Sequence, residues 1–159
     1  LIEKMSPTAI QYPDPRLKEV ARPLSGLEIA AVNDNGGKFE SPIKRLIAQM
    51  QVVAAGDLGL AATQLGVPLR IIIARGTVRE QFMVLINPEV TDRLKVTKAA
   101  PEGCLSVDNG KTRVMVSRPG KCAVRDFFHE NINLGGMLAR VVQHEIDHLD
   151  GITILDRKE

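Results

Sequence analysis

HEIDH at residues 144–148 is the stretch of sequence that sets the interpretation of the whole chain. Its two histidines are four residues apart, so on a helix they lie one turn apart on the same face. At this spacing both imidazoles reach one metal ion, and Glu145 is placed to act on a water molecule there. Two of the three histidines in the chain fall in this pattern, so we favour a metal site over a chance pair of surface histidines.

The sequence predicts two helices, one around the HEIDH stretch and one far upstream of it. Apolar spacing places the HEIDH stretch on a helix that starts near Met137 and ends at Gly151, a typical C-terminal stop. Ser41 and Pro42 form an N-cap followed by proline at the first helical position. Apolar residues at helical spacing then extend that second helix to about Ala55.

The remaining sequence is rich in predicted strands. Apolar or alternating runs predict strands at 69–74, 82–86, 90–97, 113–116 and 121–126, with short ones at 132–134 and 152–155. The NDNGG run at Asn33–Gly37 predicts a loop. The predicted class is α+β, with antiparallel β-sheets packed around a central helix that bears the HExxH motif, in a single domain over residues 1–159.

The composition excludes several classes of protein. Lysine and arginine number 21 against 19 aspartate and glutamate, and aromatic residues make up 3%, so nothing favours a nucleic-acid partner. No apolar run reaches the roughly 18 residues of a membrane span. The chain has two cysteines and its amino terminus lacks a signal-peptide core. We therefore expect reduced thiols and a cytoplasmic location without a membrane partner.

A third metal ligand has to come from outside the HEIDH stretch, because a catalytic metal normally has three protein ligands and one open position. No histidine or glutamate follows at the short spacing that HExxH peptidases use. Cys104 in PEGCLS, residues 101–106, is the best candidate, since the preceding glycine loosens the backbone. Cys122 lies in an alternating strand and is expected to be a buried structural thiol. A Cys-His-His set suits Zn²⁺ or Fe²⁺.

A further stretch, GLAATQ at residues 59–64, has two interpretations. Taken alone, it predicts a tight turn into a strand, with small residues that allow close packing. Beside a metal site, Gln64 becomes an amide donor to a developing oxyanion. His129, in the loop-like stretch FFHEN, is expected to be a surface residue.

Together and in this order, GLAATQ, EGCLS and QHEIDH resemble the three motifs of the peptide deformylase family. The resemblance covers most of the chain and includes YPDPRLKEVARP near the start and INPEV in the middle. It implies the α+β fold and a metal-dependent hydrolase that removes the formyl group from N-formylmethionyl nascent peptides and releases formate. For the site, it implies metal ligation by Cys104, His144 and His148, acid–base catalysis by Glu145, and oxyanion donation by Gln64 and the backbone N–H of Leu105.

The resemblance also implies a substrate-binding surface. Leu58 and Val141 should line a pocket for the methionine side chain, with Leu138 nearby, although ordinary core packing explains the same residues. Gly59 and Gly103 belong to this surface, and so do Glu102 and Arg113, which are otherwise solvated charges. Alternatively, Glu102 pairs with a nearby arginine and fixes the Cys104 loop. The implied cofactor is one divalent ion, Fe²⁺ or Zn²⁺, for which Ni²⁺ or Co²⁺ can substitute, in a monomer that associates transiently with the ribosome.

Three features depart from the family pattern. Asp57 stands where the family usually has glycine, which puts the shape of that loop in question. Arg140 stands where the family is apolar, so it either sits at the pocket rim and alters peptide preference or snorkels to water. The sequence stops soon after Gly151, which suggests a reduced or phage-encoded form acting in a bacterial host cytoplasm.

Two rival functions remain open at this stage. A zinc peptidase would use the same HExxH motif but would need a downstream third ligand rather than Cys104. A metal-stabilised binding module without activity would be expected to lack Glu145 or Gln64, and both are present.

Overall fold

The computed structural model describes residues 2–32 and 41–159, so the loop predicted at Asn33–Gly37 lies outside the described residues. The helices are α1 (Gly26–Val32), α2 (Pro42–Val53), α3 (Gly136–Leu149) and α4 (Ile154–Arg157). The strands are β1 (Gly59–Ala61), β2 (Ile71–Ala74), β3 (Met83–Ile86), β4 (Glu89–Arg93), β5 (Thr97–Gly103), β6 (Arg113–Pro119), β7 (Lys121–Arg125) and β8 (Ile132–Gly135). In the described ranges no helix is both long and apolar enough to cross a membrane.

All the strand pairs named here are antiparallel. One sheet has the order β1-β2-β3, a second has the order β4-β7-β8, and β5 pairs with β6 as a hairpin. β2 is buried at every position because its sequence, Ile-Ile-Ile-Ala, is apolar on both faces. The α+β class with antiparallel sheets is therefore as predicted.

Helix α3 contacts all of these sheets. It packs against β1 and β2 of the first sheet, β7 and β8 of the second, and β6 of the hairpin. Its buried face includes apolar Val142, Ile146 and Leu149, but the helix also buries Gln143, His144, Glu145, Asp147 and His148. Buried polar side chains need partners. The helix that carries the HEIDH stretch thus contributes both apolar residues to the core and a cluster of buried polar side chains.

Glycine ends α3 for a steric reason. Gly151 has a φ of +74°, in the left-handed region, and a Cβ at this position would lie 2.5 Å from the carbonyl oxygen of Lys18. The turn that follows leads into α4, whose N-cap Thr153 accepts a hydrogen bond from the Leu155 backbone N–H at 3.2 Å. Asp156 accepts one from the Thr153 N–H at 2.8 Å. This reciprocal capping favours a helix, so the strand predicted at 152–155 is wrong.

The strand predicted at 90–97 is also wrong in its extent. β4 ends at Arg93, and a separate strand, β5, runs from Thr97 to Gly103 with the sequence TKAAPEG. That sequence has weak β-propensity and no apolar alternation, so its extended form depends on pairing with β6 over the whole strand. This pairing carries the chain to Cys104.

Candidate metal centre and cavity

Cys104, His144 and His148 come together in the folded chain. One ligand atom from each lies within 4.8 Å of the others, and all three residues are buried. Cys104 Sγ is 3.3 Å from His148 Nε2, although the two residues are 44 positions apart in sequence. The imidazole ring centroids are 5.1 Å apart. One sulfur and two imidazole nitrogens at such distances fit a single Zn²⁺ or Fe²⁺ ion.

The two histidines differ in whether their Nδ1 atom has a partner. His144 Nδ1 lies 2.9 Å from Glu102 Oε1, a contact that leaves Nε2 free to ligate a metal. Burial would lower the pKa of His144, but the charge of Glu145, together with Cys104 and Glu102, raises it well above its usual value. His148 Nδ1 is buried without a partner in the described structure. Burial and the charges of His144 and Arg118 lower the pKa of His148 well below its usual value.

Glu145 is the carboxylate inside this centre. Its Oε1 is buried and has no hydrogen-bond partner within the described residues. Burial raises the pKa of Glu145 to about 7, although the charges of His144 and Arg118 oppose the shift. A buried, unpaired carboxylate beside three potential ligands fits a centre that takes a cation and a water molecule.

A group of charges lies behind His144, buried at Glu102, Arg118 and Asp147 and exposed at its outer end, Arg157. We call Glu102, Arg118, Arg140, Asp147 and Arg157 the charge network. Arg118 donates to Glu102 through Nε at 2.7 Å and Nη2 at 3.0 Å, and its Nη1 donates to Asp147 at 2.8 Å. Arg157 Nη2 donates to the other Asp147 oxygen at 2.9 Å. Burial would raise the pKa of Glu102, but the hydrogen bonds from His144 and Arg118 lower it to about 2.

The charge network corrects two sequence interpretations. Glu102 is buried, so the solvated alternative is wrong and the pairing with an arginine is confirmed. Arg140 does not snorkel to water: its Nη1 donates to Glu102 Oε2 at 2.5 Å and to the Val116 carbonyl at 3.0 Å. Sequence reasoning missed Arg118, Asp147 and Arg157. Asp147 could have been identified from the sequence, because it lies inside HEIDH on a helix that was predicted to be packed.

The GLAATQ stretch forms the opposite side of the centre. The expected turn is preceded by β1, and Ala62–Leu65 then form a 3₁₀ turn. The Ala61 N–H donates to Gln64 Oε1 at 2.9 Å, which points Gln64 Nε2 toward Ser106 Oγ at 3.1 Å and Cys104 Sγ at 3.6 Å. Ser106 was missed at the sequence level, although it ends the EGCLS stretch.

Gly59 allows this side to approach α3 closely. A Cβ at Gly59 would lie 2.7 Å from Glu145 Oε2 and 2.8 Å from Val141 Cγ1. The close packing expected of the small residues is thus present, and it brings Gly59 against the carboxylate of Glu145.

A cavity of about 200 Å³ opens beside the centre. Its wall contains every predicted site residue except His148, which is buried behind it: Leu58, Gly59, Gln64, Glu102, Gly103, Cys104, Leu105, Arg113, Val141, His144 and Glu145. Asp57, Pro101, Gly110, Met137 and Arg140 complete the wall. Leu138 does not line it and packs against the core cluster that contains Val142, so core packing explains this residue.

Two further sequence predictions concern residues outside the cavity, Cys122 and His129. Cys122 is buried on β7, and both cysteines are free thiols. The His129 side chain is exposed and contacts Asp126 at 2.8 Å. Neither residue joins the metal centre.

The fold and the site define a class of protein: an α+β protein in which one cysteine and two histidines beside a buried carboxylate could hold a metal ion. The polypeptide deformylase family model matches residues 8–159. A peptide deformylase from Thermodesulfovibrio yellowstonii is 37% identical over 154 residues, which cover 92% of this chain and 86% of that protein.

Solved structures agree with this match. Peptide deformylase from Thermotoga maritima superposes with a TM-score of 0.76 at 30% identity, covering 95% of this chain and 96% of that one. A class I type b peptide deformylase from Acinetobacter baumannii, bound to Met-Ala-Ser, gives 0.76 at 29% identity, with 94% and 96% covered. The chain belongs to the peptide deformylase family, metal-dependent enzymes that remove the N-formyl group from nascent peptides.

Proposed function

We propose that this chain hydrolyses N-formylmethionyl peptides with one divalent cation held by Cys104, His144 and His148. The observation that carries the proposal is the convergence of these three ligands, two of which line the cavity together with Glu145 and Gln64. Fe²⁺ or Zn²⁺ is the proposed ion, with Ni²⁺ or Co²⁺ as substitutes, because sulfur and imidazole ligands suit these metals. When bound, such an ion polarises a carbonyl group and makes a water molecule more acidic.

Glu145 is proposed as the general base and then the general acid. Its buried carboxylate, whose Oε1 has no hydrogen-bond partner among the described residues, can accept a proton from the attacking water and later release it. The water oxygen bonds to the formyl carbon, the bond from that carbon to nitrogen breaks, and the proton goes to the leaving amine. Formate and a peptide with a free amino terminus are the products.

Gln64 and Leu105 are proposed to stabilise the oxyanion that forms at the formyl oxygen. The bond between the Ala61 N–H and Gln64 Oε1 fixes which end of the amide faces the centre, so that Nε2 is the available donor. Leu105 lines the same cavity, and Gln11 Nε2 holds its carbonyl group at 2.8 Å. Fixed donors of this kind stabilise developing charge without reorganising.

The substrate is proposed to lie along the cavity between β1 and the end of β5. Leu58 and Val141 offer apolar surface for the methionine side chain. Gly59 and Gly103 leave room for the peptide backbone, and Arg113 lies at the cavity wall on β6. The Met-Ala-Ser complex of the Acinetobacter baumannii relative supports a peptide that begins with methionine.

Glu102 is proposed to act on the metal centre rather than on the substrate. Its carboxylate accepts from Arg118 and Arg140 and contacts His144 Nδ1. A carboxylate behind a ligating histidine fixes the ring orientation and tautomer. In this arrangement α3 is the central catalytic helix, and residues 1–159 act as one catalytic domain.

The biological setting follows from the proposed substrate. Formylated nascent chains arise where translation starts with formylmethionine, so we place the enzyme in a bacterial or phage-infected cytoplasm. A transient encounter with the ribosome and a monomeric state agree with this role.

Formate release from formyl-Met-Ala-Ser tests the proposal. Purified protein is reconstituted separately with Fe²⁺, Ni²⁺ and Zn²⁺, and formate and free amine are measured. We expect equal amounts of both products and intact internal peptide bonds. Metal-loaded protein that releases no formate would contradict the proposal, and cleavage of internal bonds would favour a peptidase.

A further inference from the structure

Asp57 is a charged cavity residue that the proposed reaction does not use. It immediately precedes Leu58 and lines the same wall as Glu145. Its side chain is partly buried. Burial raises the pKa of its carboxyl group, and the charge of Arg75 opposes that shift. A carboxylate in such a place is stabilised by a further cation.

The backbone around Asp57 is held firmly. Arg75 donates to the Asp57 carbonyl through Nε at 2.8 Å and to the Ala55 carbonyl through Nη2 at 2.7 Å. Its guanidinium carbon also lies 3.9 Å from the centroid of the Phe82 ring. These N–H groups are directed to carbonyl oxygens, and in the described part of the chain the Asp57 carboxylate accepts no hydrogen bond. The backbone that carries Asp57 is therefore held in place, and its carboxylate oxygens remain free to accept hydrogen bonds.

The wall of the same cavity also carries a basic side chain, Arg113. Arg113 opens β6, pairs in register with Gly103, and is exposed at the cavity wall. An extended peptide between β1 and the β5–β6 hairpin points successive side chains in opposite directions. The residues that follow formylmethionine thus meet an acidic wall at Asp57 and a basic wall at Arg113.

We propose that Asp57 selects formylated peptides with a lysine or arginine at the first or second position after formylmethionine. This inference rests on the proposed function and adds a substrate preference to it. The charge pairing is partly exposed to water, so its effect is a preference among substrates rather than a requirement.

Charged peptide pairs test the preference. The values of kcat/KM are measured for formyl-Met-Lys-Ala-Ser, formyl-Met-Ala-Lys-Ser and their glutamate counterparts at low salt. We expect lysine to exceed glutamate by about fivefold at one of the two positions, as for a modest exposed ion pair. Asp57→Asn should reduce that ratio by about fivefold, and added salt should reduce it in the wild type.

Asp92→Asn is the matched control, because it makes the same charge change on β4 outside the cavity wall. It should leave the lysine-to-glutamate ratio at the wild-type value. An equal ratio in wild type and Asp57→Asn at both positions would overturn the inference. So would an Asp57→Asn variant that slows lysine and glutamate peptides alike. If no formylated peptide releases formate, it is the proposed function that fails instead.

Discussion

The two sides of the cavity are built from different chemistry. On the side of β5, β6 and α3, the charge network holds His144 from behind through Glu102. On the side of β1 and the 3₁₀ turn, Gln64 is held by neutral hydrogen bonds and Gly59 by close packing. One side has four buried or partly buried ionic groups, Glu102, Arg118, Arg140 and Asp147, and the other has none among these positioning contacts.

The two sides of the cavity differ in chemistry because one positions a metal ligand and the other positions an oxyanion donor. A metal ligand needs a fixed ring and tautomer, which a charge-assisted bond from a buried carboxylate provides. An oxyanion donor has to be neutral and already oriented when charge develops, and a side-chain amide whose oxygen is anchored by a backbone N–H suits that task. Substitution of Glu102, which holds His144, should therefore change metal affinity, and substitution of Gln64 should change turnover with metal retained.

The largest effect is expected for Glu145→Gln, which removes the acid–base group but keeps the size of the side chain. Turnover of formyl-Met-Ala-Ser should fall by about 10²–10⁴-fold. Metal content after reconstitution, measured by elemental analysis, should match the wild type, because Glu145 is not one of the three ligands. Loss of metal together with activity would place Glu145 among the ligands.

Gln64→Ala should lower turnover by about 10²–10³-fold through loss of one oxyanion donor. Its metal content should stay at the wild-type level, which is the result that defines the neutral side. Gln143→Ala is the matched control, since Gln143 is a buried glutamine on α3 that donates to the Pro119 and Ala139 carbonyls outside the cavity. If Gln64→Ala releases metal, Gln64 belongs to the metal-holding side.

Glu102→Gln tests the charged side. The variant loses the negative charge shared by Arg118, Arg140 and His144, so metal affinity should fall by about 10–100-fold. The affinity is measured by competition with a chromophoric chelator, and thermal unfolding reports stability separately. Glu28→Gln is the control, because it removes a carboxylate from a more exposed pair with Arg22. Wild-type metal affinity in Glu102→Gln would remove the distinction between the two sides.

The sequence was most informative where chemistry is tied to local spacing. The i and i+4 histidines and Glu145 needed only a helix. GLAATQ taken alone predicted only a tight turn, and the role of Gln64 depended on the metal site beside it and on the family resemblance. Cys104 was assigned by elimination, because no other residue type near the motif suited the site. These assignments depend on residue type and short-range geometry, which a single sequence contains.

Contacts between distant segments were not predictable in the same way. Arg118 on β6 reaches Glu102 because β5 and β6 pair, and β5 has a sequence that does not favour a strand. Arg140 lines the cavity, as one of its two interpretations expected, but its bond to Glu102, 38 residues away, was not predicted. A strand was predicted at 152–155, just before Arg157, although local capping by Thr153 and Asp156 forms a helix that directs Arg157 to Asp147.

The smallest effect is expected at the outer end of the charge network. Arg157 is 46% exposed, so its pair with Asp147 is screened by water, and Arg157→Met should lower stability by at most about 1 kcal/mol. Metal affinity should change by less than about threefold, because Arg118 still holds Asp147 and Glu102. Arg125→Met removes a more exposed pair with Glu89 and serves as the control for thermal unfolding. A loss of metal affinity as large as that of Glu102→Gln would mean that the network acts as one unit from α4 to His144.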